Sequence, residues 1–117
     1  MDEVLGSLDA EQKDIVLRLM GLVSSVVPEA VVMIRQGKVT FRLAGKDFVW
    51  LAPAKLHVDL VFANGSLLDS PYLKSDGEKA NGVKHLVVKD VDKEQQTIMR
   101  LLADSARFGF EQAQSPA

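Results

Sequence analysis

From Asp9 to about Val27, the apolar residues Ile15, Leu19, Leu22, Val23 and Val26 recur at spacings of three and four. That period places them on one stripe of an α-helix. Asp9, followed three positions later by Gln12, has the form of a capping box. Pro28 sets the far limit, because it lacks an amide hydrogen and restricts the residue before it. A second helical stripe runs through Ile98, Leu101, Leu102, Ser105 and Phe108, with Asp92 and Gln95 in the capping positions and Gly109 as the expected stop. Residues 109–117 carry few apolar positions and are expected to form a disordered tail.

Between these helices the period shortens to two. Val39, Phe41 and Leu43 alternate with Lys38, Thr40 and Arg42, and Leu56, Val58, Leu60 and Phe62 alternate with His57, Asp59 and Val61. Such alternation predicts half-buried antiparallel strands. FVWL, at 48–51, supplies another strand, entered through a turn at Ala44, Gly45, Lys46 and Asp47. The preceding VVMIR run turns into the ribbon at Gln36 and Gly37. A fifth strand is predicted in KHLVVK, 84–89, with Leu86 and Val88 on one face and His85, Val87 and Lys89 on the other. The pattern implies an α+β domain over 1–108, a five-stranded antiparallel sheet flanked on one face by the N-terminal and C-terminal helices. Its other face is then open or covered by a partner. Residues 63–83 hold Gly65, Pro71, Gly77 and Gly82 and exceed the usual length of a connection, so a short helical turn or a lid is expected there. Leu67, Leu68, Pro71 and Tyr72 are expected to pin its first half.

Composition narrows the function classes. A chain of 117 residues suits one domain with its own core. A net charge of -2 argues against a dedicated nucleic-acid binder. The absence of cysteine removes disulfides, thiolate catalysis and Cys-based zinc sites. MDEVLGSLDA opens acidic without a long apolar run, and no segment reaches the length of a membrane span, so neither a secretory signal nor membrane association is expected. A cytoplasmic location is the resulting expectation. The charge is nonetheless uneven. Residues 1–29 hold six acids and two bases, whereas 30–62 hold five bases (Arg35, Lys38, Arg42, Lys46, Lys55) and two acids (Asp47, Asp59). A basic ribbon can steer an anionic ligand or an acidic partner, and equally can discourage edge-to-edge pairing.

Few residues carry chemistry. His57 and Asp59 stand two apart, hence on one strand face about 7 Å from each other, and His85 can join them from another strand. Two imidazoles and a carboxylate could bind a divalent metal, but the spacing matches no compact ligand motif and no metal ligand is assigned. The carboxylates Asp2, Glu3, Asp9, Glu11 and Asp14 could gather a hard cation. They equally suit the positive end of the helix dipole. There is no G-x-S-x-G, no Gly-rich phosphate loop and no H-E-x-x-H, so no catalytic residue and no cofactor is assigned. Trp50 has apolar neighbours in FVWL and serves either packing or a ligand pocket, where an indole offers a large apolar face with one donor.

The wording of the middle, PEAVVMIRQGKVTFRLAGKDFVWLAP followed by HVDLVF and later VKHLVVKDVDKEQQTIMRLL, resembles the YdhG-like group of small bacterial proteins, a domain of unknown function. The similarity covers roughly residues 9–108. It consists of an amphipathic helix, a Pro-Glu-Ala entry, a T-F-R-L strand before a Gly-Lys turn, a strand ending in Phe62, a late strand with His85 and a closing helix after an acidic cap. The resemblance implies the same fold and a binding role, since relatives occur as modules appended to larger proteins. One branch of the group is described as a frataxin-like intracellular iron chaperone, which makes iron handling the alternative function.

The expectation is therefore a small cytoplasmic binding domain without catalytic activity. Its site is expected on the open sheet face, bordered by the 63–83 segment. Lys38, Arg42 and Lys89 would contact an anionic group of a small ligand or protein partner, His57, Asp59 and His85 would orient it, and Trp50 would offer a platform. A homodimer formed through the same face is the second alternative, and monomer and homodimer both stand open.

Overall fold

The computed structural model describes residues 6, 8–54, 57–65, 68, 72–75 and 83–114. Helix α1 spans Ala10–Val26. Strands β1 (Val31–Arg35), β2 (Lys38–Leu43), β3 (Lys46–Pro53), β4 (Val58–Phe62), β5 (Lys74–Ser75) and β6 (Lys84–Val88) follow, and helix α2 (Val91–Gln114) closes the chain. Their order across the sheet is β1-β2-β3-β4-β6-β5, and every neighbouring pair is antiparallel. The five strands expected from alternation are all present, flanked by an N-terminal and a C-terminal helix. The sixth, β5, is a two-residue strand beside β6, and the 63–83 segment also contains the expected helical turn, at Gly65, whose carbonyl accepts from the Leu68 amide at 3.0 Å.

Local chemistry accounts for most boundaries. The Asp9 carboxylate accepts from the Gln12 amide at 2.8 Å, and the Gln12 side chain accepts from the Asp9 amide at 3.3 Å, which closes the predicted capping box. The same Gln12 donates to the Ala54 carbonyl and so ties the start of α1 to the end of β3. α1 ends at Val26, two residues before Pro28. Gln36 and Gly37, and again Ala44 and Gly45, all have positive φ, as two-residue type I′ hairpin turns demand.

The second helix corrects two expectations. Its cap is Asp90, whose carboxylate accepts from the amides of Asp92 and Lys93, while the Glu94 carboxylate accepts from those of Lys89 and Asp90. Asp92 lies inside the first turn and instead meets Arg18 of α1 at 2.8 Å. Gly109 does not stop α2, which continues to Gln114. Glycine lowers helix propensity by only about 1 kcal/mol, and nothing in the next five residues is a stronger breaker. Residues 115–117, the end of the expected tail, lie outside the described residues.

One core joins the layers. Val16, Leu19 and Val23 of α1 and Ile98, Leu101, Leu102 and Ala106 of α2 pack with Val39, Phe41 and Leu43 of β2, Val49 and Leu51 of β3, Val58, Leu60 and Phe62 of β4, and Leu86 and Val88 of β6. Ser105 in the α2 stripe is fully buried. Its hydroxyl donates to Asn64 Oδ1 at 2.7 Å, and Asn64 Nδ2 donates to the Ser105 carbonyl at 3.0 Å. That reciprocal pair explains a hydroxyl in an apolar stripe, because a buried donor is tolerated when it is bonded. In the connection after β4, Leu68 is buried as expected whereas Tyr72 is exposed. Leu67 and Pro71 fall outside the described residues, as do Leu56 in the run before β4 and Asp2 and Glu3 before α1.

Candidate functional site on the outer sheet face

Register decides what the outer face carries. β2 and β3 pair as Thr40↔Trp50 and Phe41↔Val49, then as Arg42↔Asp47 and Leu43↔Lys46, so Phe48 is an extra residue opposite the Phe41/Arg42 step. Phe48 and Val49 are both buried in the core. A bulge of this kind resets the alternation. Its consequence is that Asp47 and Trp50, three residues apart, share the outer face with Thr40 and Arg42. Strict alternation would have put them on opposite faces.

The outer face then has one continuous row across all six strands: Met33, Thr40, Trp50, Val61, His85 and Lys74. Trp50 sits half-buried in its middle, between buried Thr40 and buried Val61. Beside it opens a recess of about 160 Å³ lined by Arg35, Gln36, Lys38, Thr40, Asp47 and Trp50. Asp47 is clamped there. Its Oδ1 lies 3.1 Å from Arg42 Nε, and its Oδ2 lies 3.5 Å from Arg35 Nε. The Arg42 contact is close but not aligned as a hydrogen bond, and Arg42 Nε and Asp47 Oδ1 are both shielded from solvent. Arg42 also donates through Nη2 to the Gly45 carbonyl, so it braces the β2–β3 hairpin. Two cations, Arg35 and Lys38, and one carboxylate leave the recess net positive, with exposed Lys38 making no ion pair among the described residues.

The histidine cluster lies farther along the same face. His57 Nε2 lies 3.0 Å from Asp59 Oδ1, close enough for charge pairing when the imidazole is protonated, though again not aligned as a hydrogen bond. Asp59 faces Val87, which makes His85 its diagonal neighbour on the same face. Diagonal positions are about 7–8 Å apart. Arg42 is two strands and four residue steps away from Asp59, roughly 17 Å at ordinary strand spacings. The structure therefore groups Lys38 and Arg42 around Trp50, and His57 and His85 around Asp59, and the two groups adjoin, because Trp50 faces Val61 and is itself a diagonal neighbour of Asp59.

Lys89 belongs to neither group. β6 ends at Val88, and Lys89 turns toward α1, where with Asp9, Ala10, Glu11, Gln12, Asp14 and Ile15 it lines a cleft of about 420 Å³. Two of the three acids of that cleft have structural partners: Asp9 caps α1, and Asp14 pairs with Arg18 at 3.0 Å. Arg18 has its pKa raised, first by the charge of Asp14 and next by that of Asp92. Among the described residues no group of three or more His, Asp or Glu side chains is gathered to hold a metal ion. No described helix is long and apolar enough to cross a membrane.

Sequence reasoning missed Arg35, Gln36, Thr40 and Asp47 as recess residues. The available signal was the adjacent apolar pair Phe48-Val49 after a tight turn, which two-residue alternation cannot place on one face without a bulge. Comparison with known proteins adds no assignment. No family model, no curated protein and no solved structure matches this chain.

Proposed function

We propose that this chain is a small cytoplasmic binding domain that does no covalent chemistry and takes an anionic ligand on the outer sheet face. The observation that carries this reading is the recess beside Trp50, which Trp50 lines together with the cations Arg35 and Lys38 and with Gln36, Thr40 and Asp47. A flat apolar group stacks on the indole while its anionic substituent meets Lys38 and Arg35. Arg42 holds the hairpin and Asp47 in place rather than reaching the ligand. The absence of an enzyme motif in the sequence and the resemblance to YdhG-like proteins both support a binding role.

Titration with phenyl phosphate, benzoate and inorganic phosphate tests it, read by Trp50 fluorescence and backbone amide shifts. Shifts centred on residues 35–50, lost on Lys38→Glu, are the expected result. Iron handling is the second reading, supported by the carboxylates Asp9, Glu11 and Asp14 around the 420 Å³ cleft. It takes precedence if Fe(II) perturbs those residues while the organic anions leave Trp50 unchanged.

A further inference from the structure

Among the described residues β1 has a strand neighbour on one side only, and four of its five residues are exposed, with Met33 half-buried. Val31 is 59% exposed, Val32 41% and Ile34 38%, which is unusual for three β-branched residues in a row of five. Val32 and Ile34 stand opposite Phe41 and Val39, on the helix-facing side, yet the helical layer does not reach them. An edge this apolar lacks the usual protection against pairing, since it has no proline and only one charge, Arg35.

The hairpin geometry fixes which backbone groups are free. Arg35 and Lys38 flank the two-residue turn Gln36-Gly37 and are therefore a hydrogen-bonded pair, as are Met33↔Thr40 and Val31↔Arg42 by alternation. Val32 and Ile34 are the non-bonded positions, and their amides and carbonyls point away from β2. We propose that β1 pairs with β1 of a second copy of this chain, antiparallel about a two-fold axis at Met33.

That register is self-complementary. Val32 faces Ile34 of the other copy and exchanges both backbone bonds with it, and symmetry repeats the exchange. The four side chains meet on the helix side and extend the apolar layer of Val39 and Phe41. On the outer face Met33 meets its own copy, and Arg35 faces Val31, so no like charges stand opposite. A pair of five-residue strands is smaller than a standard interface, so the association is concentration-dependent. This inference does not rest on the ligand reading of the recess.

The test is sedimentation equilibrium combined with residue-resolved amide exchange, on the full chain at low concentration and at about 1 mM. The amides of Val32 and Ile34 should gain protection with concentration, while those of Met33 and Arg35, bonded to β2 in either state, stay protected throughout. Val32→Pro removes an outward amide without touching the β2 ladder and should weaken association by at least about tenfold. Far-UV circular dichroism checks that this variant folds, and if it does not, the exchange pattern of the unmodified chain decides alone. A monomer at the highest concentration, a dimer in which Val32 and Ile34 stay unprotected, or a folded Val32→Pro chain that associates normally would each overturn the proposal.

Discussion

Gly21 and Gly65 offer the sharpest test of the packing, because the same substitution should act in opposite directions at the two sites. Gly21 lies exposed in the middle of α1, and a Cβ built there meets nothing within 4 Å. Replacing it with alanine recovers helix propensity and should stabilise the fold by about 1 kcal/mol. Gly65 is buried and has no positive φ, so on backbone grounds alone alanine would again stabilise, by about 0.4–1 kcal/mol. The structure reverses that sign. A Cβ on Gly65 would lie 2.5 Å from Lys84 Cβ, 2.6 Å from its amide nitrogen and 3.0 Å from its Cα. These are backbone-proximal atoms at the start of β6, which cannot swing aside as a flexible side chain would. The connection after β4 must move away from β6, at the cost of overpacking, about 1–3 kcal/mol. The net change for Gly65→Ala is then a loss of about 1–2 kcal/mol. For a domain of this size each kcal/mol shifts Tm by about 3–5 °C. Thermal melts should therefore rise by a few degrees for Gly21→Ala and fall by roughly 3–10 °C for Gly65→Ala. A Gly65→Ala chain as stable as the parent would refute the close approach of Gly65 to β6.

Other substitutions test local features. Asp90→Ala should cost about 1 kcal/mol in chemical denaturation and Asp92→Ala clearly less, because Asp90 is the residue that caps α2. Ser105→Ala should lose about 1–2 kcal/mol by the same measurement, since it strips Asn64 Oδ1 of its donor in a part-buried setting. Ala44 adopts φ of 53°, a region costly for a residue with a Cβ, so Ala44→Asn should raise Tm by a few degrees, corresponding to about 0.5–1 kcal/mol.

Much of this fold is legible in the alternation of apolar and polar residues. Asp9, Gln12 and Pro28 bound α1 because each acts on backbone groups within a few residues, and such local chemistry is visible in one dimension. Val39 through Leu43 and Val58 through Phe62 reveal strands for the same reason. The cap of α2 is harder to place, since DVD offers two aspartates, and only the helix start at Val91 puts Asp90 at the cap and leaves Asp92 in the first turn, facing Arg18 from 74 residues earlier in the chain. The candidate site depended most on what the sequence does not display. Whether Arg42 is available to a ligand turns on the bulge at Phe48, which brings Asp47 under it. Whether Lys89 shares a face with His85 turns on where β6 ends. Each is a matter of register or termination, and register is fixed by packing across strands rather than by any residue alone.

The recess beside Trp50 is the proposed binding site for an anionic group. Its most direct test is a backbone amide titration with phenyl phosphate, comparing the unmodified chain with Lys38→Glu and Trp50→Ala. Saturable shifts confined to Arg35, Lys38, Thr40, Asp47 and Trp50, abolished by either substitution while the remaining amides are unmoved, are the predicted result. Shifts absent at saturating concentration, or centred instead on the α1 cleft or on His57 and Asp59, would contradict it.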